Sequence, residues 1–242
     1  MRFEVWAQTD VGLKRGINQD TILVDHDLKL YIVADGMGGH KGGEVASALA
    51  VNIVQNRLRE ALTHSKLAPK QVLIKAYKEA SERIHFKSTF ESPELMGMGT
   101  TMVGAFHYGS KLFVANVGDS RAYLMRDQHI WQLTEDHSLV NEQLRAGVIN
   151  EEEAALGAKN VITRSVGFER DVAVDVIERK VEVGDTYLLC SDGLSGLVPD
   201  ERLLEICRDN PAKESVLQCI KEAKAAGGDD NISVIIIRAL DA

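Results

Sequence analysis

The sequence predicts an α+β fold: a central β-sandwich of two mainly antiparallel sheets flanked by helix pairs, four αββα layers in all. Three observations carry this. Short β-type runs recur at hairpin and meander spacing. Segments of helical periodicity come in pairs between them. Strand blocks interrupted by helix pairs leave those helices outside the sheets.

In chain order, strands are expected at Val5 to Thr9, Thr21 to Val24 and Leu30 to Ala34. Next, Ala46, Leu49, Ala50, Ile53, Val54, Leu58 and Leu62 recur at helical spacing, as do Val72, Leu73, Ala76, Tyr77, Ala80 and Ile84 behind Pro69. They predict a long antiparallel helix pair, with Glu44 in the first turn of its first member, where negative charge favours the helix dipole. Strands follow at Thr101 to Phe106, Leu112 to Asn116, Ala122 to Met125 and Ile130 to Leu133, with Gly99-Thr100-Thr101 suiting a strand entry. The polar, helical stretch from about Ser138 to Arg164 contains Asn150 and Glu153 as a capping box. A flap beside a site and an ordinary connecting hairpin of helices both fit it. A strand at Thr186 to Cys190 and a short helix around Leu203 to Cys207 come next. A helix opening at Pro211 and stopping at Gly227-Gly228 then leads to a last strand at Ile232 to Ile237. No repeat, low-complexity stretch or linker divides the chain, so residues 1–242 are expected to form one domain.

A chain of 242 residues can bury roughly 70 to 75% of its unfolded surface, enough for a sizeable core. Its net charge of -8 disfavours nucleic acid or anionic lipid as the main partner, because both attract basic faces. No apolar run is long enough to span a bilayer, and Met1 to Trp6 lack the layout of a secretory signal, so a cytoplasmic location is expected. Cys190, Cys207 and Cys219 are odd in number and have no metal-site spacing, which fits buried free thiols in a reducing compartment.

The residues richest in chemistry are four acidic glycine turns at the ends of apolar runs. These are Val33-Ala34-Asp35-Gly36, Val117-Gly118-Asp119-Ser120, Cys190-Ser191-Asp192-Gly193 and Gly228-Asp229-Asp230-Asn231. Carboxylates are depleted from strands and costly to bury unpaired, so apolar strands that keep delivering Asp to one kind of terminus suggest a shared cation site. Oxygen-only ligands favour magnesium or manganese over zinc. One Asp-Gly alone is only a turn signal; four such turns plus Asp20 make a cluster.

These residues sit within a longer series: Gly12 to Asp20, Ala34 to His40, Gly42-Gly43-Glu44, Gly99-Thr100-Thr101, Asn116 to Arg121, Asp136-His137-Ser138, Ile162 to Gly167, Ser191-Asp192-Gly193 and Asp229 to Ser233. In this order, over almost the full length, the chain resembles the bacterial form of the metal-dependent protein serine/threonine phosphatases of the protein phosphatase 2C (PP2C) type. The resemblance implies hydrolysis of phosphoserine and phosphothreonine by water or hydroxide held between two Mn2+ or Mg2+ ions, with no covalent phosphoenzyme. It implies that Asp35 bridges the two ions, that Gly36 offers its carbonyl to one, and that Asp192 and Asp230 complete the other. Asp20 would act through waters, and Asp119 would serve a third ion together with Asp192.

Arg15 matches the phosphate-binding arginine of the family, its planar fork suited to two phosphate oxygens. Met37 stands where animal members carry a histidine. His40, three residues on, is similar to the His of the bacterial motif and could donate a proton or order the Gly38 to Gly43 loop. The catalytic set implied is therefore Asp35, Asp192, Asp230, Arg15 and His40. The sequence departs from many relatives at Gly196, where they carry a further Asp, which puts the third ion in question. Asp119 could instead bond Arg121, His137 is expected to hold the approach to the flap, and Asn231 could fix Asp230 through a turn hydrogen bond. Phosphorylated proteins, including a serine/threonine kinase and its targets, are the implied partners of a monomer. A binding or sensor module that has lost turnover, or a phosphatase of small phosphomonoesters, are the alternatives.

Overall fold

The computed structural model describes residues 1–64, 68–156 and 161–241, and within them the side chains of all but residues 39–41, 64 and 155–156. Its strands are β1 (Arg2–Asp10), β2 (Asp20–Asp25), β3 (Leu30–Met37), β4 (Gly99–Thr100), β5 (Met102–Tyr108), β6 (Lys111–Val117), β7 (Arg121–Arg126), β8 (His129–Gln132), β9 (Asp175–Lys180), β10 (Thr186–Cys190) and β11 (Ile232–Leu240). One sheet runs β1-β11-β10-β7-β8; the other runs β2-β3-β5-β6-β9, with β4 beside β3. All pairings of named strands are antiparallel.

Helices cover both outer faces. The long pair α1 (Gly39–His64) and α2 (Pro69–Phe86) packs on the second sheet. Against the first lie the single turn α5 (Asp192–Ser195) and the pair α6 (Asp200–Asp209) and α7 (Ala212–Ala225). Both strand faces are therefore buried at the centre, which explains runs such as Leu30-Tyr31-Ile32-Val33-Ala34. Leu30, Ile32 and Ala34 face α1 and α2, while Tyr31 and Val33 face the opposite sheet. The same parity sends Leu188 and Cys190 toward α6 and α7, and Tyr187 and Leu189 inward. All three cysteines are buried and free.

Pro69 opens α2, and the amides of Gly227 and Gly228 close α7 by returning to the carbonyls of Lys224 and Ala223. The polar segment forms α3 (Leu139–Arg145) and α4 (Glu151–Leu156). Asn150 and Glu153 form their capping box reciprocally, each side chain accepting the other's amide at 2.9 Å. No helix of the described residues is long and apolar enough to cross a membrane.

The structure departs from the sequence expectation at four places. Strand β9 was not foreseen, because Asp175, Glu178, Arg179 and Lys180 are charged; it is an edge strand, where charge is common. Glu44 is not in the first turn of α1, which begins earlier, at Gly39. Asp35-Gly36 is not a turn but part of β3, and Gly36 pairs with Thr100 of β4. Asp192-Gly193 opens α5 instead of forming a loop.

Candidate active site

The inter-sheet columns of side chains are apolar until one end of the sandwich, and there each turns polar. Ile22 and Val24 of β2 give way to Asp20, and Tyr31 and Val33 of β3 to Asp35. On β1, Val5 and Ala7 are succeeded by Thr9; on β11, Ile237 and Ile235 by Ser233; past β10, Leu189 by Ser191. Asp20 and Asp35 lie directly opposite each other, as do Thr9 and Ser233. Two carboxylates facing each other across a sheet repel, so the pairing needs something to hold it.

Asp20 is held by hydroxyls. Its Oδ2 accepts from Ser191 Oγ at 2.9 Å and from Ser233 Oγ at 2.6 Å. Asp35 is held by its backbone: its amide donates to Thr101 Oγ1, and its carbonyl accepts from Thr100 Oγ1 and from the Thr101 amide, both at 2.8 Å. Gly36 is required for packing. A Cβ there would stand 2.0 Å from the Gly43 carbonyl oxygen and 2.6 Å from that of Gln19. This close approach seats α1 against β3.

Asp192, at the start of α5, and Asp230, in the loop before β11, close the cluster. Asp119 follows Gly118, whose φ of 104° makes the turn out of β6. Arg15, Asp35, Gly36, Asp119, Asp192 and Asp230 all line one cleft of about 700 Å³, while Asp20 lies buried behind it. Arg15 donates to Asp230 at 2.7 Å from the mouth of the cleft. Its loop is stapled down by Asn231, whose Oδ1 accepts from the Gln19 amide and whose Nδ2 donates to the carbonyls of Val11 and Ile17. Asn231 also holds Asp230 through a turn hydrogen bond, as the sequence suggested, donated by its backbone amide at 2.8 Å.

Asp119 does not bond Arg121, which instead makes a fork onto Asp136 and reaches Tyr123. His137 Nδ1 accepts from the Gly118 amide at 3.0 Å, which leaves Nε2–H for Asp175 at 2.9 Å, a structural role beside the α3–α4 hairpin. His40 lies in the opening turn of α1, and its side chain lies outside the described residues. Ser191, Ser233 and Thr101 are supporting residues that the motif reading left without a role. Extending the inward parity of their strands by one residue would have placed them beside Asp20 and Asp35.

The electrostatics are those of an acidic cluster short of positive charge. Burial, then repulsion from Asp192 and Asp136, lifts the Asp119 carboxyl to about 7. Asp20 is lifted to about 6 by burial, against the pull of its two serine hydroxyls. Asp35 is pushed well above the carboxylate range by burial and by Asp20, Asp192 and Asp230, and Asp192 is itself raised by burial. Asp20 Oδ1 and Asp192 Oδ1 are buried with no hydrogen-bond partner. Among the described residues no three ligating side chains close into a cage. They line an open cleft, as hard cations that retain waters require. Repelling carboxylates, orphaned buried oxygens and no sulfur or described imidazole donor fit oxygen-loving divalent cations.

The family model of Protein phosphatase 2C matches residues 14–224, a span that takes in Arg15, Asp20, Asp35, Asp119 and Asp192. The chain belongs to the protein phosphatase 2C family. Its relatives within this family include the serine/threonine phosphatase stp of Listeria monocytogenes, 40% identical over 238 residues that cover 95% of this chain and 93% of that one. The crystal structure of the Mycobacterium tuberculosis serine/threonine phosphatase PstP superposes with a TM-score of 0.90 at 34% identity, covering 99% of both chains. A second solved structure, the catalytic domain of the serine/threonine protein phosphatase PstP in complex with two manganese ions, gives a TM-score of 0.88 at 34% identity, again over 99% of both chains.

Proposed function

We propose that the protein is a metal-dependent protein serine/threonine phosphatase that hydrolyses phosphoserine and phosphothreonine with Mn2+ or Mg2+. The observation that carries this is the convergence of Asp20, Asp35, Asp119, Asp192 and Asp230 on one end of the sandwich, with two buried carboxylate oxygens left unpartnered. Asp35, Asp192, Asp230 and the Gly36 carbonyl would hold two ions, Asp20 would act from behind, and Asp119 with Asp192 would offer a third place. When bound, such ions supply hydroxide near neutral pH and offset the charge of the phosphoryl group.

The chain's own residues do the remainder. Arg15, at the mouth, exchanges its ion pair with Asp230 for the phosphate oxygens and orients them as negative charge spreads in the transition state. His40 would either return a proton to the leaving serine or threonine oxygen or order the Gly38 to Gly43 loop. Ser191 and Ser233 keep Asp20 oriented with one oxygen free. Residues 1–242 would act as one catalytic domain, the α3–α4 hairpin serving as a flap. Phosphorylated proteins are the substrates, a serine/threonine kinase and its targets the partners, and a cytoplasmic monomer the working form.

The test is release of phosphate from a phosphothreonine peptide after chelation, with manganese or magnesium titrated back, in the parent protein and in Asp35→Asn. Release that metal restores in the parent and not in the variant supports the reading. Folded protein that releases none at any metal level overturns it.

A further inference from the structure

Beside the catalytic cleft lies a second hollow of about 630 Å³. Met37, Gly38 and Ile162 line both, so the two are continuous. The far walls of the second carry Val161, Phe168 and Val172, with Thr163, Glu169 and Asp171 between them. Phe168 is 59% and Val161 47% exposed, so both offer apolar surface to the hollow. The floor is firm. Val166 pairs with Thr100 in both directions, at 3.0 and 2.8 Å, and the Gly167 amide donates to the buried Ser81 hydroxyl at 2.9 Å. A Cβ at Gly167 would collide with Ile84 of α2, which fixes the turn presenting Phe168. Arg164, which also lines the hollow, is engaged by Asp175.

We propose that this hollow is a substrate subsite that takes an apolar side chain of the phosphoprotein, close in sequence to the phosphorylated residue. The inference rests on the phosphatase reading above. An extended peptide advances about 3.3 Å per residue, so a phosphothreonine in the catalytic cleft delivers a neighbour within a few positions across the shared wall of Met37 and Ile162. Alternate side chains of an extended strand point the same way, so one flanking position reaches the hollow and its immediate neighbours do not. The site thereby selects among phosphoproteins by local sequence, whereas the metal cleft by itself accepts any accessible phosphomonoester.

The experiment compares kcat/KM for equal-length phosphothreonine peptides in which Leu or Ser is placed in turn at each of the flanking positions, with para-nitrophenyl phosphate as a substrate too small to reach the hollow. Leu at one position is expected to exceed Ser by about tenfold, the scale of discrimination an apolar pocket provides. In Phe168→Ser that Leu-to-Ser ratio falls to about one, and Val161→Ser, which alters a different wall, lowers it in the same direction. Because each ratio is taken within one variant, a general loss of activity does not imitate the result. Equal rates for Leu and Ser at every position, while both peptide and aryl phosphate are hydrolysed, overturn the subsite alone. A Leu preference that survives both substitutions also overturns it. Hydrolysis of neither substrate by folded, metal-loaded protein overturns the phosphatase reading and the subsite with it.

Discussion

A single carboxylate shows how function and stability oppose each other here. Asp35 faces Asp20 across the β2–β3 pair and is pressed by Asp192 and Asp230 as well. Replacing it with Asn keeps the shape and removes the charge. In chelated protein at pH 7.5, Asp35→Asn should therefore stabilise the fold, by on the order of 1–3 kcal/mol from the relieved repulsion. The stabilisation that manganese should give the parent should vanish in the variant together with activity. Thermal unfolding with and without manganese reads both signs, and a variant less stable than the chelated parent contradicts the assignment. Arg15 behaves in the opposite way. Arg15→Ala frees Asp230, so metal affinity should hold or tighten, while kcat/KM on phosphopeptide drops about 100-fold through loss of charge stabilisation in the transition state. Calorimetric titration of manganese together with steady-state kinetics separates these effects. At Gly196 an added Cβ would meet the Asp192 carbonyl at 2.8 Å, so Gly196→Asp brings a carboxylate toward Asp119 and Asp192 only after a local shift of α5.

Between elements, the site depends on two junctions. One is the contact of β3 with α1, where Gly36 and Gly43 touch backbone to backbone; Gly36→Ala should cost about 2–4 kcal/mol in urea unfolding, because carbonyl oxygen cannot yield as a side chain does. The other is Asn231, whose side chain ties the Val11–Gln19 segment to the loop before β11 through three hydrogen bonds, beside the ion pairs of Lys14 with Asp229 and Arg15 with Asp230. Asn231→Ala should lower stability by about 1–3 kcal/mol and raise KM for phosphopeptide, since the loop bearing Arg15 loses its anchor. At this scale the sequence was most legible where periodicity was strong. Helix α2 begins at its Pro signal, α7 begins and ends at its Pro and Gly signals, and β3, β5, β10 and β11 follow from apolar runs. Strand β9 escaped because its identity comes from its partner β6 and not from its own charged residues. Asp20, Asp35, Asp192 and Asp230 were legible because carboxylates at the ends of apolar runs demand an explanation. Ser191 and Ser233 were not, since a serine beside a turn is ordinary until parity shows which way it points. The pairing of Arg15 with Asp230 is a contact across 215 positions, and no local pattern contains it.

Over the whole molecule, the acidic end couples stability to pH. Asp20 and Asp119 rise in the folded state to about 6 and about 7 from the ordinary aspartate value of 3.8, and Asp35 and Asp192 rise as well. A carboxyl held above its unfolded value binds more protons in the native state, so stability falls as pH climbs from about 4 to about 7 and stays low beyond. Chelated protein should thus lose melting temperature across that window, and the gain on adding manganese should widen with pH between 5 and 8. A flat difference across that range would show that the cluster is not the ligand. The topology adds a temporal consequence. Strand β11 lies between β1 and β10, and Asp230 immediately precedes it. During synthesis on the ribosome, β1 waits for its neighbour until residues as far as Leu240 have emerged, and Arg15 waits with it. A nascent chain therefore lacks the complete acidic cluster until Asp230 has emerged and β11 has taken its place between β1 and β10.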